Sequence, residues 1–183
     1  MTATLPSLLT AAEFAELPNP ADGSRQELVR GRVIQMPPPK GRHGQVQLEI
    51  GARLREVVKP QRLGWVVTEA GVLIVTNPDT VRGPDVSFYS IARHPAPPDD
   101  YFDIPPDLAV EILSPDDRRS AVLAKIRECV TAGVAVVWLV DPDANVVTVY
   151  TGNMRGVEHH AGDTLDGGAV LPGFACPVSD LFA

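Results

Sequence analysis

The chain has 183 residues, 44% of them hydrophobic and 21% charged, which suits one globular domain over 1–183 and excludes a disordered polymer. Two cysteines, Cys129 and Cys176, are too few for a disulfide framework, so a reducing cytoplasm is expected. Met1–Leu17 lacks the basic start and apolar run of a signal peptide, and no stretch reaches bilayer length, so no membrane role is expected. The formal charge of −7 argues against a nucleic-acid partner, but its distribution does not: 25–62 carries nine Lys/Arg against three Glu. A basic segment on an acidic body can meet phosphates on one face. Ordinary surface charge explains it equally well.

In chain order, 1–24 reads as an N-terminal helix and loop, 25–151 as the core, and 152–183 as loop with short extended pieces. Thr10 to Leu17 suggests a short helix, with Thr10 as N-cap and Glu13 completing a capping box. Glu27 to Met36 reads as a hairpin or bent strand pair about Arg30-Gly31-Arg32. Val46, Ile50, Leu54 and Val57/Val58 have helical spacing, so His43 to Lys59 is expected to be a helix that Pro60 stops. Trp65–Thr68, Val72–Thr76 and Asp85–Tyr89 are expected strands, with a turn at Asn77 to Thr80. Asp107–Leu113 is a stronger strand. Ser114 as N-cap and Pro115 at the first helical position predict a helix from there to about Ala132, ended by Gly133. Val134–Val140 reads as a buried central strand and Val146–Thr151 as the last strong one. The expected fold is α/β, a mixed sheet flanked by helices.

Alternation along 107–113 puts Leu108, Val110 and Ile112 on one face, and Asp107, Ala109, Glu111 and Leu113 on the other. Glu111 then lies in the middle of a core strand, where a carboxylate costs several kcal/mol unless it is paired or binds metal. An Arg-satisfied Glu is the bland alternative. Asp85, at the start of a neighbouring strand, supplies a second carboxylate. Two carboxylates on adjacent strands make a hard-oxygen site of the kind Mg²⁺ or Mn²⁺ prefers. Lys125, at the edge of the Val122-Ile126-Cys129-Val130 stripe, is either the cation completing this site or a solvent-facing lysine. His159-His160 lacks metal-ligand context and is expected at the surface.

Pro84-Asp85 followed by Glu111 resembles the PD-(D/E)XK nucleases. More closely, the chain resembles the Uma-two family of restriction-endonuclease-like proteins. The resemblance is carried by Gln26–Gly31, Met36-Pro37-Pro38 with His43-Gly44, Gly83–Val86, Pro106–Asp116, Gly133–Pro142 and Leu171–Phe174. It covers nearly the whole chain. It implies a restriction-endonuclease-like fold, with Asp85 and Glu111 as metal ligands and Glu27 as a further carboxylate. Leu113 stands where the classical lysine would be. In this family the lysine role moves to the next helix, which fits Lys125. Cys129 departs from the family's usual tyrosine. His43 matches a family position, either as a group at the site's edge or as a helix-start histidine bonding local backbone.

Two functional readings follow: a Mg²⁺- or Mn²⁺-dependent endodeoxyribonuclease, or a non-catalytic DNA- or protein-binding module on the same fold. A hydrolase of small phosphate compounds is a weaker third. Cutting both strands of DNA implies a homodimer or higher homo-oligomer, with Val134 to Thr151 as the candidate interface.

Overall fold

A computed structural model describes residues 7–183; the first part of the Met1–Leu17 segment lies outside the described residues. The chain enters through α1 (Ala11–Ala15). Its capping box is present: Glu13 N–H donates to Thr10 Oγ1 (3.2 Å) and Thr10 N–H to Glu13 Oε2 (2.8 Å). Strands β1 (Arg25–Val29) and β2 (Arg32–Met36) form the expected hairpin. Its two-residue turn, Arg30-Gly31, has φ of 49° and 73°. Positive φ at both positions matches the turn to the twist of the strands.

Helix α2 spans Gly41–Gln61. Pro60 does not stop it but lies in its last turn. A proline there removes one ladder hydrogen bond near an end that would fray in any case. The helix closes at Arg62, in the left-handed conformation, whose N–H reaches back to Val58 and Lys59.

Next come β3 (Gly64–Thr68), β4 (Val72–Val75), β5 (Thr80–Arg82), β6 (Val86–Ser90) and β7 (Leu108–Ile112). Strand β5 was not legible in the sequence, because three residues after a turn are too few to show alternation. It joins the hairpin to β4 in a four-stranded sheet, β2-β1-β5-β4, over a small core of Phe14, Leu28 and Val81.

Helix α3 (Arg119–Ala132) starts later than Ser114. Ser114 to Asp117 instead closes its own turn: Ser114 N–H donates to Asp117 Oδ2 (2.8 Å), and Asp117 N–H to Ser114 O (2.9 Å). Short polar side chains that bond local backbone compete with helix in this way. The helix ends at Gly133 as expected, with φ 105°.

Strands β8 (Val136–Asp141), β9 (Val146–Tyr150) and β10 (Val157–His159) complete a six-stranded sheet, β10-β9-β8-β7-β6-β3. Every pairing in it is antiparallel except β7–β8, which α3 connects. Helix α2 covers one face, burying Val46, Ile50, Leu54 and Val58 against Val86, Phe88, Leu108, Val110, Ile112 and Trp138. Each such side chain contributes about 1.5–3 kcal/mol on leaving water. Helix α3 covers the other face, with Ile126 and Cys129 against Ala109, Val137 and Leu139.

The segment after Gly152 carries the short extended pieces expected of it, and it is also packed into the core. Strands β11 (Thr164–Asp166) and β12 (Ala175–Pro177) and a 3-10 turn, Val178–Leu181, bring Leu165, Leu171, Phe174, Val178 and Leu181 into the α2-side core. These apolar residues are too irregularly spaced to announce a buried element. Val134 to Thr151 does not form an exposed face either: β8 lies between β7 and β9 with Val137 to Val140 buried, and β10 covers the far edge of β9. No helix among the described residues is long and apolar enough to cross a membrane.

Candidate functional site

The site lies where the two sheets meet beneath the N-terminal half of α2. The antiparallel register pairs Val86 with Val110. One step further along, Asp85 lies across from Glu111. Asp85 is 3% exposed. Its Oδ2 accepts from Ile112 N–H (2.7 Å) and lies 3.3 Å from His43 Nε2; its Oδ1 accepts from Arg25 Nη1 (2.9 Å). Its main-chain carbonyl accepts from Gln47 Nε2 (2.9 Å). Burial alone would raise its pKa, but the His43 hydrogen bond and charge, with Lys125 and Arg25, hold it down at about 2.

Glu111 is the opposite case. It is 7% exposed, and Lys125 Nζ donates to Oε2 at 2.7 Å. Its Oε1 is buried without a hydrogen-bond partner. Burial raises this carboxyl to about 8 against the pull of Lys125, and the negative charges of Asp85 and Glu27 add to the rise. The same lysine is raised further above its ordinary value: burial opposes its charge, but Glu111, Glu27 and Asp85 more than offset that. Those two shifts pull apart over one contact. We hold that Glu111 is raised, because Glu27 and Asp85 share the same few cations.

Glu27, on β1, lies 2.9 Å from Lys125 Nζ and accepts from Arg82 Nη1 (2.8 Å) and Gly83 N–H (3.0 Å). Burial pushes its carboxyl up, and Lys125 and Arg82 pull it below the ordinary range. Arg82 also grips Glu128 on α3 through Nε and Nη2.

The structure therefore brings together all five residues singled out from the sequence: Asp85, Glu111, Lys125, Glu27 and His43. Lys125 faces inward, on the side where Ile126 and Cys129 of α3 pack with Ala109, Val137 and Leu139. His43 is buried against Asp85 rather than bonding local backbone. His160 is exposed, 3.8 Å from Glu158, as expected for a surface residue.

Four further groups were missed: Arg25, Gln47, Arg82 and Glu128. Two had a readable signal. Gln47 follows His43 by four, and Glu128 follows Lys125 by three, so each shares a helix face with a residue already chosen. Arg25 and Arg82 had none, since their roles depend on two sheets meeting.

A cavity of about 300 Å³ opens beside this cluster, with Arg25, Glu27, Glu69, Arg82 and Gly83 on its wall. Asp85 and Glu111 are not on that wall. Among the described residues no three His, Cys, Asp or Glu side chains converge as a ready-made metal cage. A divalent ion nevertheless fits the donor set. Glu111 Oε1 has no partner, and Asp85 Oδ1, with one hydrogen bond, keeps a lone pair. Both are hard oxygens, and Mg²⁺ characteristically takes one or two carboxylates and fills the rest of its shell with water and phosphate.

Residues 11–179 match a family model, Uma2, described as "Putative restriction endonuclease". No curated protein matches the chain. Among solved structures, it is similar to a protein from Anabaena variabilis described as "a putative nuclease belonging to DUF820", at 30% identity and a TM-score of 0.81. That likeness covers 95% of this chain and 97% of the other. The mixed sheet with its flanking helices is thus of the restriction-endonuclease-like class.

Proposed function

The chain belongs to the Uma2 family, and on that premise we propose that it is a metal-dependent DNA endonuclease with Mg²⁺ or Mn²⁺ held by Asp85 and Glu111. The observation that carries this reading is Glu111 Oε1, a buried carboxyl oxygen without a partner beside a second carboxylate. Leaving such an atom unsatisfied costs about 1–3 kcal/mol, more for a charge, and either a proton or a cation relieves it.

A divalent ion bound there supplies polarisation of a phosphoryl oxygen and a bound water of lowered pKa. The chain's own residues do the rest. His43, Arg25 and the Ile112 N–H fix the Asp85 carboxylate in one orientation. Lys125 is held between Glu27 and Glu111, where its ammonium offsets negative charge developing on a phosphate. Glu27, itself clamped by Arg82 and Gly83, keeps that lysine from swinging out to solvent. Cutting duplex DNA on both strands then calls for two copies of the chain, as a homodimer or higher assembly.

A second reading, a non-catalytic DNA- or protein-binding module, is favoured by one observation: Asp85 is already engaged at both oxygens by protein donors. Plasmid nicking in Mg²⁺ separates the two. Wild type is expected to nick and Asp85→Ala to be inactive; no nicking by wild type with either ion decides for the binding module. Mg²⁺ or Mn²⁺ is also expected to raise the melting temperature by mass action, and Asp85→Ala to abolish that shift. A metal response unchanged in both Asp85→Ala and Glu111→Ala overturns the ligand assignment.

A further inference from the structure

Three groups hold the Asp85 side chain: His43, the Ile112 N–H and Arg25. The first two meet at Oδ2. Among the described residues Arg25 alone engages Oδ1, the oxygen that keeps a lone pair. Of the three, Arg25 is also the one that lines the cavity of about 300 Å³ beside the site. Its hold is slight. Among the described residues its hydrogen bonds run through Nη1 alone, which stands 2.9 Å from Asp85 Oδ1 and 3.2 Å from Glu69 Oε1. Its Nε is buried without a partner. Arg82 shows the alternative, gripping Glu27 and Glu128 through Nη1, Nε and Nη2. A guanidinium is a fork suited to two parallel hydrogen bonds, and Arg25 sets one prong between two acids. Glu69, by contrast, is fixed. It follows β3 with φ 54°, and its N–H donates to Pro84 O (3.1 Å) and Asp85 O (3.3 Å). Gln47 Nε2 donates to its Oε1 (3.2 Å).

We propose that Arg25 is a resident counter-ion of Asp85 which the divalent ion displaces, and that its freed guanidinium then binds a phosphate group in the adjoining cavity. The proposal rests on the reading of Asp85 as a metal ligand. An ion about 2.1 Å from Oδ1 would stand within about 5 Å of Nη1. Two cations that close, partly shielded from water, repel each other strongly. Arg25 is the one able to turn aside, since it has a single prong to release, a long stem and open space beside it. The aspartate keeps its orientation through the exchange, because His43 and the Ile112 N–H hold its other oxygen. Glu69, on the cavity wall, keeps the guanidinium at the site. Turned towards the cavity, Nε and a terminal nitrogen can meet two phosphate oxygens at once, a pairing that lysine does not offer. Asp85 is thus satisfied before any ion arrives and still open to one afterwards.

The test is Mg²⁺ binding to the full chain by isothermal titration calorimetry, with Arg25→Met and Arg25→Lys alongside wild type. An arginine this close weakens a carboxylate's hold on a proton by roughly one to three powers of ten, and an ion at the same oxygen meets the same opposing charge. Arg25→Met should therefore bind Mg²⁺ at least about tenfold more tightly than wild type. Arg25→Lys, which keeps the charge, should stay near wild type. In nuclear magnetic resonance of the isotope-labelled wild-type chain, the Arg25 Nε–H signal is identified by its loss in Arg25→Met. It should move as Mg²⁺ saturates. Inorganic phosphate should move it again in the Mg²⁺-loaded protein and leave it in place without Mg²⁺. Equal or weaker Mg²⁺ binding by a folded Arg25→Met overturns the proposal. Should that variant fail to fold, Arg25→Lys identifies the signal instead, and a signal that stays put at saturating Mg²⁺ overturns it. So does phosphate that acts equally without Mg²⁺, or not at all with it. If neither wild type nor Arg25→Met takes up Mg²⁺, the metal-ligand reading falls as well; uptake by both with equal affinity removes this proposal alone.

Discussion

Leu108, Val110 and Ile112 leave β7 towards α2 and enter an apolar cluster, whereas Ala109 and Glu111 leave it towards α3. On the α2 face these three side chains join an apolar cluster, and stability comes from filled space. On the α3 face a small residue, Ala109, is followed by a buried acid that only Lys125 and neighbouring cations make tolerable. One strand thus holds a self-sufficient half and a half whose stability depends on charge compensation. A protein holding a partnerless carboxyl oxygen on a core strand accepts a local energetic cost, and such costs concentrate where chemistry is done.

Breaking the charged half at its centre has the largest expected effect. Lys125→Met keeps the aliphatic stem and removes only the ammonium. DNA cleavage should fall roughly 10²–10³-fold, as on losing one electrostatic group at a reacting phosphate. The same change strips a cation from both Glu27 and Glu111, so chemical denaturation without metal should show a loss of about 3–5 kcal/mol. Added Mg²⁺ should restore part of that stability. Cleavage at the wild-type rate would make Lys125 purely structural.

Next comes the apolar half. Leu108→Ala leaves a cavity beneath α2 and should cost about 2–5 kcal/mol by denaturant unfolding. Its metal-induced rise in melting temperature should be retained, because Glu111 leaves β7 on the other face. If metal binding falls as well, the two faces are not independent.

The pH dependence sharpens the contrast. The Glu111 carboxyl sits at about 8 in the folded protein against an ordinary value of 4.5. Between those values the folded state binds the extra proton, so in EDTA this group makes stability fall as pH rises through that window. Asp85 has the opposite sign: held at about 2, it stabilises above its ordinary value of 3.8 and loses that contribution as pH falls through 2. In EDTA, Glu111→Gln should flatten the melting-temperature profile from about pH 4.5 to 8 and leave its acid limb alone. An unchanged slope would place the raised acid elsewhere.

The smallest effect expected is at Gly51, on α2 away from the buried stripe, where an added Cβ would meet nothing within 4 Å. Gly51→Ala should stabilise by about 0.5–1 kcal/mol through helix propensity alone, read as a rise in melting temperature. A loss would reveal a close approach at that face.

From the sequence by itself came the periodic elements and the residues whose type contradicts their position. The 3.6 period of Val46, Ile50, Leu54 and Val58 and the alternation of 108–112 are local signals, set by side-chain direction along one element. Glu111 stood out for the same reason, as an acid where the pattern asks for carbon. Asp85 gained weight only from its partner, and Lys125, Glu27 and His43 were narrowed by family resemblance. The tertiary structure decided what depends on elements meeting. It turned Lys125 inward, set Arg25 and Arg82 between carboxylates from different strands, and drew the irregular chain after Gly152 into the core. It also added β5. None of these is visible along the chain, because hydrogen bonds and ion pairs between distant residues leave no periodicity, whereas burial of a repeating face does.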